Sequence, residues 1–236
     1  MAERQENTFT LRGLTTRREL LSRWLPAGLA GFFTDPATLL AMAFRSLPDG
    51  VHRADGDVRI NDQPVRTGDP IDSGDTVNTG PASQAVVVLD RAVYLVREQT
   101  RMVVTLGEKN SPVRAAIRVL GGRMLSVFGG GRHQITTQTA VIGIRGSGLY
   151  VMADTQRTYA CTCYGTARIQ AADDADVAET VTTRHHEAPR YIYPPGRPRR
   201  IVPAPVIDHT DAELIMLEAV VGRRPPFVGT PYDDRY

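Results

Sequence analysis

The side chains best suited to bind a metal or act as nucleophiles in this 236-residue chain are two cysteines and five histidines. Cys161 and Cys163 lie one residue apart in Tyr159-Ala160-Cys161-Thr162-Cys163-Tyr164 and are the only cysteines. Period-two alternation along a strand turns both thiols to the same face. Downstream, His185 and His186 add imidazoles, and two thiolates with one or two imidazoles make a donor set for zinc or copper. Adjacent residues of a strand face opposite ways, so only one of His185 and His186 is expected to join the cysteines. The spacing is not that of a zinc finger, and two other readings stay open. The thiols are free and pack as small core hydrophobes, or they bridge as i and i+2 neighbours near the upper geometric limit for a disulfide. His133 and His209 show no partner in the sequence.

The same inventory narrows the function classes. No Ser/His/Asp constellation, phosphate-cradling glycine loop or paired-carboxylate motif is present, so no enzyme is expected, and no cofactor other than that metal. The formal net charge of +2 leaves nucleic acid, whose binding rests on phosphate neutralisation, without support as a partner.

The elements that must position these residues read as short strands. Between Val51 and Tyr193 apolar residues alternate in Val58-x-Ile60, Ala85-x-Val87-x-Leu89, Val93-x-Leu95, Leu149-x-Val151 and Ala167-x-Ile169. Turn signals separate them at Asn61-Asp62-Gln63-Pro64, Gly68-Asp69, Gly74-Asp75 and Gly129-Gly130-Gly131. The pattern predicts an all-β fold, a sandwich or a solenoid-like stack of strands. The stretch from Ser111 to Leu120 fits a short helix or a strand equally. Arg145-Gly146-Ser147-Gly148 fits a bulge between strands better than a ligand loop.

Toward the C-terminus, residues 194–208 are proline- and arginine-rich and predict an extended, solvated linker, or else a contact strip for an acidic surface. Residues 209–236 open with a capping box at Thr210 and Glu213. Leu214, Leu217 and Val221 then share one helical face, and Gly222 stops the helix. So short a helix needs to dock, and the β domain is the nearest surface.

Residues 1–43 read as a targeting segment. Thr16-Arg17-Arg18-Glu19-Leu20-Leu21-Ser22 precedes an apolar run from Trp24 to Phe33 and a small-x-small site, Ala41-Met42-Ala43. The run is too short to span a bilayer. It resembles a bacterial twin-arginine export signal at Thr16, Arg17, Arg18 and Leu21, while Leu20 and Ser22 depart from that pattern. The resemblance implies a periplasmic protein that starts near Phe44 and has no membrane span in its mature chain. Retention of the segment, giving a membrane-anchored signalling regulator, is the alternative.

The β region, 44–193, resembles the FecR domain family. The specific part is Ile60-Asn61-x-x-Pro64-Val65-x-x-Gly68-Asp69-x-Ile71-x-x-Gly74-Asp75-Thr76-Val77-x-Thr79-Gly80. A looser match follows at Gly122-Arg123-Met124-Leu125 and from Thr137 to Val151, where Ser147 stands for the usual Thr and Leu149-Tyr150 for the Phe. In that family the domain is the periplasmic part of regulators set between an outer-membrane receptor and a cytoplasmic sigma factor. The family's sigma-binding segment and membrane helix have no counterpart in this sequence, so the sigma-regulating activity does not carry over. What the resemblance implies is a non-enzymatic binding, assembly or signal-sensing module with a protein partner in the periplasm or at the cell envelope.

Overall fold

A computed structural model describes residues 48–107 and 111–231 of the chain. Arg17, Arg18, Ala41 and Ala43 lie outside the described residues, and with them the export reading.

Three long strands organise the fold: β8 (Val113–Val127), β10 (Ala140–Ala153) and β11 (Thr158–Ala171). Each changes partners partway along. The first half of β8 pairs with β7 (Arg101–Leu106) and, in parallel, with β9 (Arg132–Thr136). Its second half pairs with β6 (Ala92–Val96) and β10. In β10 the early residues meet β9 and the far end of β11, and the late ones meet β8 and the start of β11.

Glycines mark both switches. Gly122, at φ +104, sits where a Cβ would lie 2.4 Å from the Cα of Thr100. In β10 the register slips between Arg145 and Gly148. Gly146 takes φ +61 there, and Ser147 fills the gap, its Oγ bonded to both the N–H and the carbonyl of Thr166 at 2.9 Å. The Arg145–Gly148 stretch is thus the expected bulge.

These bends fold one hydrogen-bonded sheet into two layers. The first layer adds β2 (Val58–Ile60), β3 (Gln63–Pro64), β4 (Thr76–Thr79) and β12 (Asp174–Thr183). The second adds β1 (Gly50–Asp55), β5 (Gln84–Leu89), β13 (Arg190–Ile192) and β14 (Ile201–Pro203). The main core lies between them, with Val77, Met102, Ile117, Ile135 and Ile142 from one side and Val87, Leu89, Tyr94, Met124 and Val151 from the other. The all-β fold is a sandwich.

The turn chemistry appears where the punctuation placed it. Asn61 and Asp62, at φ 50 and 65, form the two-residue turn between β2 and β3, whose twist requires positive φ at both central positions. The Asp69 carboxylate accepts from the Arg66 N–H at 2.8 Å, and the Asp75 carboxylate from the Asp72 N–H at 2.7 Å. Gly68 and Gly74 take φ +96 and +99 beside them. The stretch from Ser111 to Leu120 becomes strand from Val113 onward, because Ala115, Ile117 and Val119 alternate into the core while Arg114 and Arg118 point out.

The second layer is apolar on both faces. Val86, Val88, Val93, Leu95, Leu125 and Val127 turn away from the sandwich core and are covered by α1 (Asp211–Val220) through Leu214, Leu217 and Val221, with Phe227 beyond it. The helix starts at the predicted capping box. It stops at Gly222, where the Gly222 N–H reaches the Ala219 carbonyl and the Arg223 N–H the Glu218 carbonyl, a Schellman closure.

The segment 194–208 departs from a solvated linker. Residues 195–199 are exposed, but Ile201–Pro203 is the strand β14 on β13, and the Tyr159 hydroxyl donates to the Pro205 carbonyl at 2.9 Å. Three residues of pairing are too few to register in composition. No helix among the described residues is long and apolar enough to cross a membrane.

Candidate metal centre

Cys161 and Cys163 occupy alternate positions of β11 and both face α1, as the period of a strand requires. No disulfide joins them. His185 and His186 lie not in a strand but in the turn after β12, where His186 takes φ +53. That turn changes the geometry expected of neighbours in a strand. His186 reaches the cysteines, with its Nδ1 3.5 Å from Cys161 Sγ, yet both histidines converge on one carboxylate. His186 Nε2 lies 3.0 Å from Asp211 Oδ1, and His185 Nε2 lies 2.8 Å from Asp211 Oδ2. His185 stands beside Asp211 and the Phe227 ring rather than with the thiols, so one of the two adjacent histidines joins the cysteines and the other does not.

The imidazole that completes the cluster is one for which the sequence showed no partner. His209 precedes the N-cap of α1, and its Nε2 sits 2.9 Å from His186 Nδ1. Its Nδ1 donates to the Ile207 carbonyl at 2.7 Å, and its ring stacks on Tyr150 at 4.7 Å. The Tyr150 hydroxyl donates to Asp208, which also accepts from Arg123 at 2.9 Å. Arg97 donates to the Asp208 carbonyl and to Glu213, so two arginines fasten the start of the helix to the sheet.

One donor atom each from Cys161, Cys163, His186 and His209 falls within 4.8 Å of the others, and all four residues are buried. Missing from the sequence reading were His209 and Asp211. Their signal was present in the helix start His209-Thr210-Asp211, but it acquires meaning only when α1 is laid on the face that carries the cysteines.

The hydrogen bonds fix where protons sit. The Ile207 carbonyl can only accept, so His209 carries its proton on Nδ1 and offers Nε2 as an acceptor. His186 therefore donates from Nδ1, and with Asp211 ionised it donates from Nε2 as well. Burial works against that imidazolium, but the Cys161 sulfur and the Asp211 carboxylate outweigh it and raise the His186 pKa. The Cys161 thiol is held well below its ordinary value, first by the Cys163 thiol and, against burial, by His186 and His209. Cys163 is pushed the other way by burial and by the neighbouring Cys161 sulfur. These shifts favour negative charge on Cys161 and positive charge on His186, with the Cys163 thiol beside them.

His133, the remaining buried histidine of the sandwich, lies against Phe128 at 5.1 Å, away from this cluster.

No family model matches the chain, and no curated protein matches it. The FecR resemblance therefore rests on the residues quoted for it. Two crystal structures from Parabacteroides distasonis, each of a protein provisionally assigned as an anti-sigma factor, overlap 54% of the chain with a TM-score of 0.44 and 12% identity. The overlap takes in 57% of each of those chains, less than two thirds of their length. So remote a likeness transfers neither activity nor partner.

Proposed function

We propose that this chain is a non-catalytic, FecR-like module that works outside the cytoplasm and binds a protein partner. The observation that supports it is where the reactive groups lie. Cys161, Cys163, His185, His186 and His209 are each at most 6% exposed, roofed by α1 and its flanking turns. Groups so enclosed are poorly placed to meet a substrate.

The surface offers hollows that carry charged side chains instead. One, about 250 Å³, is lined by Asp55, Gln84, Arg97, Glu98 and Arg123. The other, about 500 Å³, lies between β12 and residues 197–201. There β12 is hydrogen-bonded to β11 on one side only, and the exposed Arg197 and Arg199 stand beside its other rim. An open strand edge suits an extended segment of a partner, main chain on the edge and a carboxylate placed on Arg197 and Arg199, clear of the hollow's own Asp176 and Glu179.

Fractionation with mass spectrometry tests the location: the chain is expected outside the cytoplasm, and an Arg17→Lys/Arg18→Lys variant is expected in the cytosol with its leader intact. In-cell crosslinking from β12 tests the partner. An Arg197→Glu/Arg199→Glu variant is expected to lose the crosslinked protein while keeping its fold. Wild type confined to the cytosol, or crosslinking indifferent to both arginines, overturns the proposal.

A further inference from the structure

Buried thiols are common as core hydrophobes, and buried histidines are common as satisfied polar groups. The cluster beneath α1 is arranged differently from either. Three separated pieces of chain bring it together: β11 supplies Cys161 and Cys163, the turn after β12 supplies His186, and the residue before the helix supplies His209.

Each imidazole has one nitrogen already held from outside. Asp211 holds His186 Nε2 at 3.0 Å, and the Ile207 carbonyl holds His209 Nδ1 at 2.7 Å. Metal-bound histidines characteristically donate their second nitrogen to a carboxylate or a backbone carbonyl, which fixes ring and tautomer. Both forms of that support occur here, and both leave the second nitrogen of each ring on the side of the cysteines. His186 Nδ1 and His209 Nε2 face each other at 2.9 Å, with Cys161 Sγ at 3.5 Å from the former. Tetrahedral zinc, with bonds near 2.3 Å to sulfur and 2.0 Å to nitrogen, asks for ligand atoms about 3.3–3.8 Å apart. His186 Nδ1 stands close to that spacing from His209 Nε2 and from Cys161 Sγ, and all four atoms lie within 4.8 Å of one another, so a small inward shift of Cys163 completes the tetrahedron.

We propose that Cys161, Cys163, His186 and His209 form a buried structural zinc site that clamps α1 to β11. Two thiolates neutralise the ion, so the buried centre itself carries no net charge. Asp211 stands outside the donor set as the support of His186, shares its second oxygen with His185, and sits in the first turn of α1, where the helix dipole favours a carboxylate. Four protein ligands leave no open position, which separates a structural site from a catalytic one. The inference does not depend on the export reading or on the partner.

The test uses the full chain purified without a histidine tag. Metal analysis is expected to find one zinc per chain. After chelation, titration with cobalt(II) is expected to give, at one equivalent, the sulfur-to-metal charge-transfer band and the intense visible bands of a tetrahedral ion, both abolished by added zinc. Cys161→Ser, Cys163→Ser, His186→Gln and His209→Gln are each expected to remove the tetrahedral signature. Asp211→Asn is expected to weaken binding by about 10–100-fold. His185→Gln, outside the donor set, is expected to keep the spectrum and stoichiometry. Copper in place of zinc, a folded wild type without cobalt–thiolate absorption, or a band that survives in Cys163→Ser overturns the assignment. The wild-type titration decides the matter even where a cysteine variant fails to fold.

Discussion

The Tyr164 hydroxyl donates to Glu218 Oε1 at 2.5 Å, tying β11 to the buried face of α1. Glu218 is only 4% exposed, and its other oxygen accepts from Arg223 Nε at 2.6 Å. A carboxylate at such a position is stable only while both oxygens are occupied. Tyr164→Phe removes one partner and keeps the ring against Phe227. The expected cost is about 1.5–3 kcal/mol, the usual worth of a hydrogen bond to a charged group. Urea denaturation at neutral pH measures it; a variant as stable as wild type would show that Arg223 alone holds the carboxylate.

Gly122 and Gly143 test the partner switch. At Gly122 the φ of +104 and the 2.4 Å approach to the Thr100 Cα leave no room for a methyl group. Gly122→Ala is expected to cost about 2–4 kcal/mol, from backbone strain and overpacking together. At Gly143 a Cβ meets nothing within 4 Å, and Gly143→Ala is expected to change stability by less than about 0.5 kcal/mol. Thermal melts of the pair give the comparison directly.

His133 sets a pH dependence of known sign. Burial lowers its pKa below the ordinary imidazole value, with Asp90 opposing and Arg114 and Arg223 adding to the effect. Neither ring nitrogen finds a hydrogen-bond partner among the described residues. Below a pH of about 6.5 the unfolded chain takes up a proton that the folded chain refuses, so stability falls as pH falls. His133→Phe, packed on Phe128, is expected to remove this slope. The stability difference between variant and wild type should grow by up to about 1.4 kcal/mol per pH unit on going below that value. Equal slopes in the two proteins would refute it.

Glu179 and Arg190 give the opposite case. Arg190 donates to both carboxylate oxygens, at 2.9 and 2.6 Å, and lowers the Glu179 pKa. The stabilisation is present above the ordinary glutamate value and is lost as pH falls through the depressed one. The Glu179 side chain is 38% exposed, so the pair is worth under about 1 kcal/mol. Glu179→Gln is expected to lose that amount at pH 7 and to match wild type in strong acid, as paired denaturation curves would show.

What the sequence made legible is local. The turns at Gly68-Asp69 and Gly74-Asp75, the capping box at Thr210 and the shared face of Cys161 and Cys163 depend on residues within a few positions of each other. The helix face of Leu214, Leu217 and Val221 belongs to the same class. What stayed hidden depends on long-range contact. Alternation in β5 and β6 is blurred because α1 buries the face that a simple sandwich leaves to water, so Val86 and Val88 are as enclosed as Val87. β14 is three residues long and is a strand only because β13 is there to receive it. His209 and Asp211 look like an ordinary helix start until docking carries them to histidines 23–26 positions earlier and, for His209, to cysteines nearly fifty positions earlier.

The helix roof has a consequence for how the protein is made. Its covering residues, Leu214, Leu217, Val221 and Phe227, are encoded after every strand whose oily outer surface they shield. A nascent chain that has emerged only through β14 presents Val86, Val93, Leu95, Leu125 and Tyr159 bare to the cell. Arrival of α1 and Phe227, rather than closure of the sandwich, is the moment at which this polypeptide stops being sticky.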